Sequence, residues 1–346
     1  MNDASRSESV RTGTPATTTL GTSGIEVGTQ GLGCMGMSEF YGATDLAEAR
    51  ATLDRALELG VTLFDTADVY GSGHNEEFLS DFVRANREQV VLATKFGIIR
   101  KADDPAYRGF DNSPEYIRAS VDASLRRLGI DVIDLYYMHR RDPEVPIEDT
   151  VGAMAELVRA GKVRALGLSE VTGPELKAAT AVHPIAAVQS EWSLFSRDVE
   201  QTAVPAAAEL GVTFVPYSPL GRGFLTGSFS TANELGEGDF RTRMPRFTGD
   251  NAARNAALLA PVHAIAEARG VSAAQVALAW VHSRAAAHGL AVVPIPGTRK
   301  RTRLEENVAA AGLELSADEL ASLEHIAGRV AGDRYADMSF TSAGRE

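Results

Sequence analysis

Four side chains at the ends of short apolar runs could together deliver a proton to an oxygen: Asp65, Tyr70, Lys95 and His139. Asp65 closes Val61-Thr-Leu-Phe64, and Tyr70 follows five residues later, beside Gly71. Lys95 closes the run 90–94, and His139 closes 132–138. A phenol, with a pKa of about 10, is a poor acid at neutral pH. A neighbouring ammonium lowers that pKa by favouring phenolate. A carboxylate holds the ammonium charged and in place. An imidazole beside the phenol can orient a carbonyl or relay the proton. Together these residue types make a device for protonating a carbonyl oxygen as negative charge develops on it. Each also has a plain structural use. Asp65 could cap a turn, with Asp68 as its rival for the role. Tyr70 could be packing, Lys95 a solvated loop cation, and His139 a hydrogen-bonded core residue. Their placement on consecutive strand ends favours the joint reading.

For the four to meet, the runs that carry them must lie side by side. Further strand-like runs cover 163–168, 185–188, 212–216 and 290–295. Helical spacing covers 45–59, 75–83, 113–128, 147–160, 174–181, 199–210, 252–268, 272–283, 302–311 and 316–327. About eight rounds of strand and helix follow Gly31. The strands are short, apolar and β-branched, as in a parallel sheet covered on both sides. The pattern predicts an α/β fold, a closed (β/α)8 TIM barrel with an N-terminal β-hairpin over 18–28 and extra helices. A doubly wound sheet is the alternative. Residues 1–17 read as a disordered tail, and 18–346 as one barrel domain with a C-terminal tail. The loop 221–250 reads as too polar and Gly-rich for core.

Composition narrows the partners. The chain has 346 residues, 44% hydrophobic, and a net charge of −12. That balance disfavours nucleic acid or an anionic membrane surface as the main partner. No run of 18 apolar residues occurs, so no membrane span is expected. One cysteine, Cys34, excludes an intrachain disulfide, and no Cys/His cluster has metal spacing; the compartment implied is cytoplasmic. Oligomeric state is not legible. Gly31-Leu-Gly-Cys-Met-Gly36 matches a dinucleotide fingerprint in letters only, because no long apolar strand precedes it and no helix starts inside it.

The later strand ends carry different chemistry. Ser169 and Gln189 could hold a carboxamide, and Tyr217 could stack on a planar ring. The glycines of Tyr217-Ser-Pro-Leu-Gly-Arg-Gly223 allow backbone N–H groups close to phosphate. Arg299, Lys300, Arg301 and Arg303 stand after the last strand at a helix start, the usual phosphate position in barrels. A solvated basic turn is the plain alternative.

These stretches resemble the aldo-keto reductases over almost the whole chain. The matching segments are Phe64-Asp-Thr-Ala-Asp-Val-Tyr-Gly71, Ala93-Thr-Lys-Phe-Gly97, Leu135-Tyr-Tyr-Met-His139, Gly167-Leu-Ser169, Val188-Gln189, Pro216-Tyr-Ser-Pro-Leu-Gly221 and Ile295-Pro-Gly-Thr298 with Glu306-Asn307. The opening Gly31-Leu-Gly-Cys-Met-Gly-Met-Ser38 is most similar to the general bacterial and plant branch near the potassium-channel β subunits. The resemblance implies a barrel that binds NADP(H) in extended form and a small-molecule carbonyl substrate. It implies a tetrad of Asp65, Tyr70, Lys95 and His139, with Tyr70 as general acid and hydride passing from the nicotinamide C4. Ser169 and Gln189 would hold the carboxamide, and Tyr217 would stack on the nicotinamide. Ser218, Pro219, Leu220, Gly221 and Gly223 would cover the pyrophosphate. Thr298 and Arg303, helped by Arg299, would meet the 2′-phosphate; Glu306 and Asn307 would meet the adenine. Gly33, Met35, Asp65, Ile295 and Gly297 would complete the cofactor contacts.

Two residues depart from the pattern: Glu170 stands where an asparagine is common, and Gly297 where many relatives have a lysine. A redox-sensing role for the fold, as in the channel-associated relatives, is the rival to catalysis. A phosphate-binding barrel lyase or isomerase gives no reason for the Tyr–Lys–Asp set. Substrate choice is expected in 96–112, 221–250 and the tail after Ala327, with Met37, Tyr107, Trp192 and Phe229 as wall candidates.

Overall fold

The computed structural model describes residues 16–101, 103–104, 107–236 and 238–345. Most of the expected disordered tail, 1–15, lies outside the described residues; Thr17 already belongs to the first strand.

That strand, β1 (Thr17–Thr19), pairs antiparallel with β2 (Glu26–Gly28). The apolar residues of this hairpin, Leu20, Ile25 and Val27, pack with Leu63, Leu135 and Val215 from the barrel interior. Its backbone is pinned to two barrel strands, Gly28 N to Thr62 Oγ1 at 2.9 Å and Gly21 N to Thr213 Oγ1 at 2.8 Å. The hairpin thereby plugs the N-terminal end and leaves a single mouth at the other.

Seven parallel strands form the wall, in the order β11-β10-β9-β8-β5-β4-β3. They are β3 (Leu32–Gly33), β4 (Leu63–Asp65), β5 (Val91–Phe96), β8 (Ile133–Met138), β9 (Val163–Ser169), β10 (Ile185–Glu191) and β11 (Thr213–Tyr217). Helices α1 (Leu46–Glu58), α2 (His74–Ala85), α3 (Pro114–Leu128), α4 (Ile147–Arg159), α5 (Gly173–Val182) and α6 (Ala203–Leu210) cover them, followed by α7 (Gly249–Ala257), α8 (Ala260–Arg269), α9 (Ala273–His288), α10 (Arg301–Ala309) and α11 (Ala317–Leu323). Several starts follow local chemistry. Ser113 caps α3 ahead of a first-turn proline, and Thr172 with Glu175 forms a capping box on α5.

Register sets the level of the strand ends. Asp65 is level with Gly33 on one side and Ala93 on the other; Lys95 is level with Tyr137, and Gln189 with Ser169. Between β11 and β3 the barrel is nearly closed by the segment 291–297. Phe214 N donates to Ala291 O, Val293 N to Phe214 O and Gly31 N to Pro294 O, each at 2.9 Å.

This segment is where an eighth strand was expected, over 290–295. It makes only isolated bridges, Phe214 with Val292 and Gly33 with Gly297. Pro294 and Pro296 have no N–H to donate, so a continuous ladder cannot form. The helix expected over 252–268 is two helices, α7 and α8, broken ahead of Pro261. That over 199–210 splits into a 3-10 turn (Asp198–Gln201) and α6, because Thr202 leaves the helical region at φ −130, ψ −87. The loop after β5 contains an unforeseen antiparallel pair, β6 (Ile98–Ile99) with β7 (Gly109–Phe110). The loop 221–250 is not excluded from the core: Phe224, Leu225, Phe229, Met244 and Phe247 are buried in the main cluster. Its aromatic rings stack on one another, with Phe224 and Phe247 centroids 5.2 Å apart, and no regular spacing announces this in the sequence.

Candidate active site

Asp65 ends β4, Lys95 is the last residue but one of β5 and His139 follows β8, so parallel register carries them to one rim. Tyr70 begins a short 3-10 turn (Tyr70–Gly73) after β4. The turn is possible because Gly71 and Gly73 take the positive φ values of 57 and 98 that a larger residue resists.

Lys95 is fully buried and forms a very short ion pair with Asp65; it also donates to Thr66 O at 2.7 Å. The second oxygen of Asp65 accepts from Gln189 Nε2 at 2.8 Å. Lys95 Nζ lies 5.2 Å from the centre of the Tyr70 ring, and the Tyr70 and His139 rings meet edge to face at 5.8 Å. The structure thus gathers all four residues at the mouth. Asp68 does not compete with Asp65. Its carboxyl faces the field of Glu76, and burial, then Glu76, raises its pKa to about 8.

Burial dominates the proton affinities. Burial, then Arg140 and Lys95, holds His139 well below the ordinary imidazole range, so it is neutral. Its Nδ1 is buried without a protein partner. Burial, then the Asp65 carboxylate, pushes the Tyr70 phenol well above its ordinary value. Arg140 is the leading cation that opposes this, in the place where the sequence suggested Lys95. The close Asp65 carboxylate cancels much of the Lys95 field at the ring. Burial also pulls Lys95 downward, against the Asp65 charge and hydrogen bond that hold its proton.

Tyr70 and His139 line a cavity of about 990 Å³ that runs from this rim towards α10. Gly33, Met35, Asp65, Gln189, Tyr217, Ser218, Pro219, Leu220, Gly223, Ile295, Gly297, Thr298, Arg299, Arg303, Glu306 and Asn307 share its wall. Ser169 and Gly221 are buried just behind it, Ser169 accepting from Arg140 Nη1 at 3.2 Å.

The residues present fit an extended nicotinamide dinucleotide. Gly33 and Gly297 face each other where a Cβ on Gly33 would lie 2.9 Å from Ile295 O. Along 218–223, Ser218, Gly221, Arg222 and Gly223 all have positive φ, a turn conformation suited to anions, with Gly221 N and Gly223 N donating to Ser218 O and Leu220 O inside the turn. The α10 N-terminus has no side-chain cap. Its basic run is only partly open. Arg299 donates to Gly36 O, Gly42 O, Tyr41 O and Thr44 Oγ1, and Arg301 pairs with Glu48 at 2.9 Å. Lys300 and Arg303 are exposed.

The wall candidates need correction. Met37, Trp192 and Phe229 are buried in core clusters, and Tyr107 stacks with Lys101 at 4.0 Å. The apolar wall is instead Phe40, Val69, Ile98, Phe110, Phe240, Tyr335 and Phe340. Two of these come from the C-terminal tail, which folds across the mouth. Glu170, at φ 52, anchors it and is fully buried. It accepts from Arg334 Nη1 at 2.9 Å, Ser342 N at 3.0 Å and Tyr217 Oη at 2.7 Å. Burial alone would raise its pKa, but Arg334 and Arg140 outweigh that and hold it at about 2. Sequence reasoning noticed Glu170 as a departure but not its partners. It missed Arg140, whose only signal is its position directly after His139.

A sequence model described as the aldo/keto reductase family matches residues 30–327. Among solved structures, the glycerol dehydrogenase of Gluconobacter oxydans is 29% identical, covering 88% of this chain and 93% of its own, with a TM-score of 0.79. A thermostable aldo-keto reductase in complex with the inhibitor epalrestat is 29% identical, with 90% and 99% covered and a TM-score of 0.69. An aldo-keto reductase from Bacillus halodurans, in a holo form, is 28% identical, with 93% and 99% covered and a TM-score of 0.68. Among the described residues no helix is long and apolar enough to cross a membrane, and no group of His, Cys, Asp and Glu is arranged to hold a metal.

Proposed function

The chain belongs to the aldo/keto reductase family, and from that premise we propose that it reduces an aldehyde or ketone to an alcohol with NADPH, using Tyr70 as the general acid. Carbonyl oxidoreduction is the chemistry of the family. The observation that carries the finer reading is the buried Lys95–Asp65 pair beside Tyr70, at the floor of a cavity that can hold both cofactor and substrate.

A nicotinamide held along this wall would supply the hydride. The chain does the rest. Tyr70 is held protonated, so its hydroxyl gives a proton to the carbonyl oxygen as charge develops there. His139, neutral and edge-on to Tyr70, orients that oxygen. Asp65 transfers no proton; it fixes Lys95, whose ammonium stabilises the phenolate left behind. Gln189 holds the other Asp65 oxygen and keeps the carboxylate aimed. Exposed Lys300 and Arg303 favour NADP over NAD at the α10 start. The single buried thiol, Cys34, accords with a cytoplasmic location.

The test is NADPH oxidation with a panel of aldehydes and ketones, in wild type and Tyr70→Phe. We expect steady turnover in wild type. The variant should lose about a hundredfold or more while retaining cofactor affinity. Full activity in Tyr70→Phe would sink the assignment. Tight cofactor binding with no turnover on any carbonyl would favour the redox-sensing reading.

A further inference from the structure

Arg140 follows His139 at the end of β8 and is buried, with a relative exposure of 7%. A guanidinium stays charged at any physiological pH, so burial must be offset by a counter-charge or by acceptors. Here the offset is incomplete. Only Nη1 is engaged, to His139 O at 2.7 Å and Ser169 Oγ at 3.2 Å. Among the described residues, Nε and Nη2 have no acceptor and no carboxylate lies within ion-pair range. The carboxylate whose charge acts on it, Glu170, is committed to Arg334, Tyr217 and Ser342.

This guanidinium lines the cavity at the Tyr70 end, with its carbon 5.8 Å from the Phe340 ring and 5.9 Å from the Tyr217 ring. The positive-φ turn at 218–223 and the basic start of α10 lie on other elements. A carboxamide is neutral and cannot supply the missing charge. Val69, Ile98, Phe110 and Phe340 give the same cavity apolar wall, with Phe340 in contact with Arg140.

Resting on the carbonyl-reductase reading above, we propose that Arg140 binds a carboxylate on the substrate, so that the enzyme takes oxo acids: aldehydes or ketones with an apolar frame and an anionic group. The carbonyl oxygen meets Tyr70 and His139 while the carboxylate meets the open edge of Arg140. Reduction forms a C–H bond from the hydride and an O–H bond from the Tyr70 proton, and the carboxylate is unchanged in the hydroxy acid.

The experiment compares 4-carboxybenzaldehyde with its methyl ester, and phenylglyoxylate with its methyl ester, in wild type, Arg140→Gln and Arg140→Lys, with NADPH. The expected result is a kcat/KM ratio of acid to ester of about thirtyfold or more in wild type. The ratio should collapse in Arg140→Gln, chiefly through KM for the acid, and be partly restored in Arg140→Lys. No acid preference in wild type, or a preference that survives in Arg140→Gln, overturns the proposal while esters still turn over and the reductase reading stands. Calorimetry with benzoate and benzamide in the presence of NADP+ reads the anion site without turnover. Benzoate binding that Arg140→Gln abolishes supports it, and absent or unchanged binding overturns it. Turnover failure with benzoate binding intact would remove the reductase reading and leave the anion site.

Discussion

Glu170 and Arg334 form an ion pair that is buried at both ends, 0% and 1% exposed, and that ties the C-terminal tail to the rim of the barrel. The pair spans the loop after β9 and a segment beyond the last helix. Removing one partner of such a pair costs about 3–5 kcal/mol, because the other charge is left buried. Here that loss should be local. In Glu170→Gln, trypsin is expected to cut after Arg334 or Arg345 at least several times faster than in wild type, while thermal unfolding of the barrel shifts little. Unchanged resistance of the tail would show that the apolar packing of Tyr335 and Phe340 suffices to hold it.

The same carboxylate sets an acid limit on stability. Its folded pKa of about 2 lies below the ordinary 4.5. A depressed acid contributes stability that is present above the unfolded pKa and lost as pH falls through the folded one. The window is therefore about pH 4.5 down to 2, with about 3 kcal/mol at stake. Hydrogen exchange of the tail amides at pH 6 and pH 3.5 should show the gap in protection between wild type and Glu170→Gln narrowing at the lower pH. A constant gap contradicts the assignment.

Neither Tyr70 nor His139 should impose a break near neutrality on the pH profile of reduction. His139 titrates well below 6.5, and Tyr70 well above 10, each chiefly through burial. The acid form of Tyr70 and the neutral form of His139 thus coexist across the physiological range. We expect kcat/KM for a neutral aldehyde to stay flat within about twofold from pH 6.5 to 9, under the general-acid logic. A break near 7 would mean that one of the two is less buried in the working enzyme than in the free chain.

Much of this was legible because strand ends are levelled by register. Once the runs ending at Asp65, Lys95 and His139 are neighbouring parallel strands, their last side chains must share a rim. The eighth strand failed for a reason also visible in the letters, Pro294 and Pro296. Other features leave no local trace. The burial of Phe224 and Phe247 depends on ring stacking within a loop, and a loop has no period to reveal it. The tail reads as polar, yet Arg334 and Ser342 meet Glu170 at sequence separations of 164 and 172. The wall candidates went wrong for a related reason. Large apolar residues such as Trp192 serve the layer between strands and helices rather than the mouth.

The Asp65–Lys95 pair allows structure and chemistry to be separated. Asp65→Asn leaves Lys95 buried, still bonded to Thr66 O but without its counter-charge. Burial already pulls the Lys95 pKa down, and losing the opposing carboxylate lets it fall further, so the ammonium holds its proton less firmly. Tyr70 then keeps Arg140 as a neighbouring cation but has less help from Lys95 in stabilising its conjugate base. Asp65→Asn should therefore lower kcat by about a hundredfold, with KM for the cofactor changed far less. Lys95→Met alone strands the carboxylate and should destabilise by about 3–5 kcal/mol. The double variant Asp65→Asn, Lys95→Met removes both charges, and buried pairs replaced together are often close to neutral in stability. Its melting temperature should recover towards wild type while activity stays as low as in the weaker single variant. Recovery of activity along with stability would show that the pair only holds the barrel rim together and takes no part in the proton transfer.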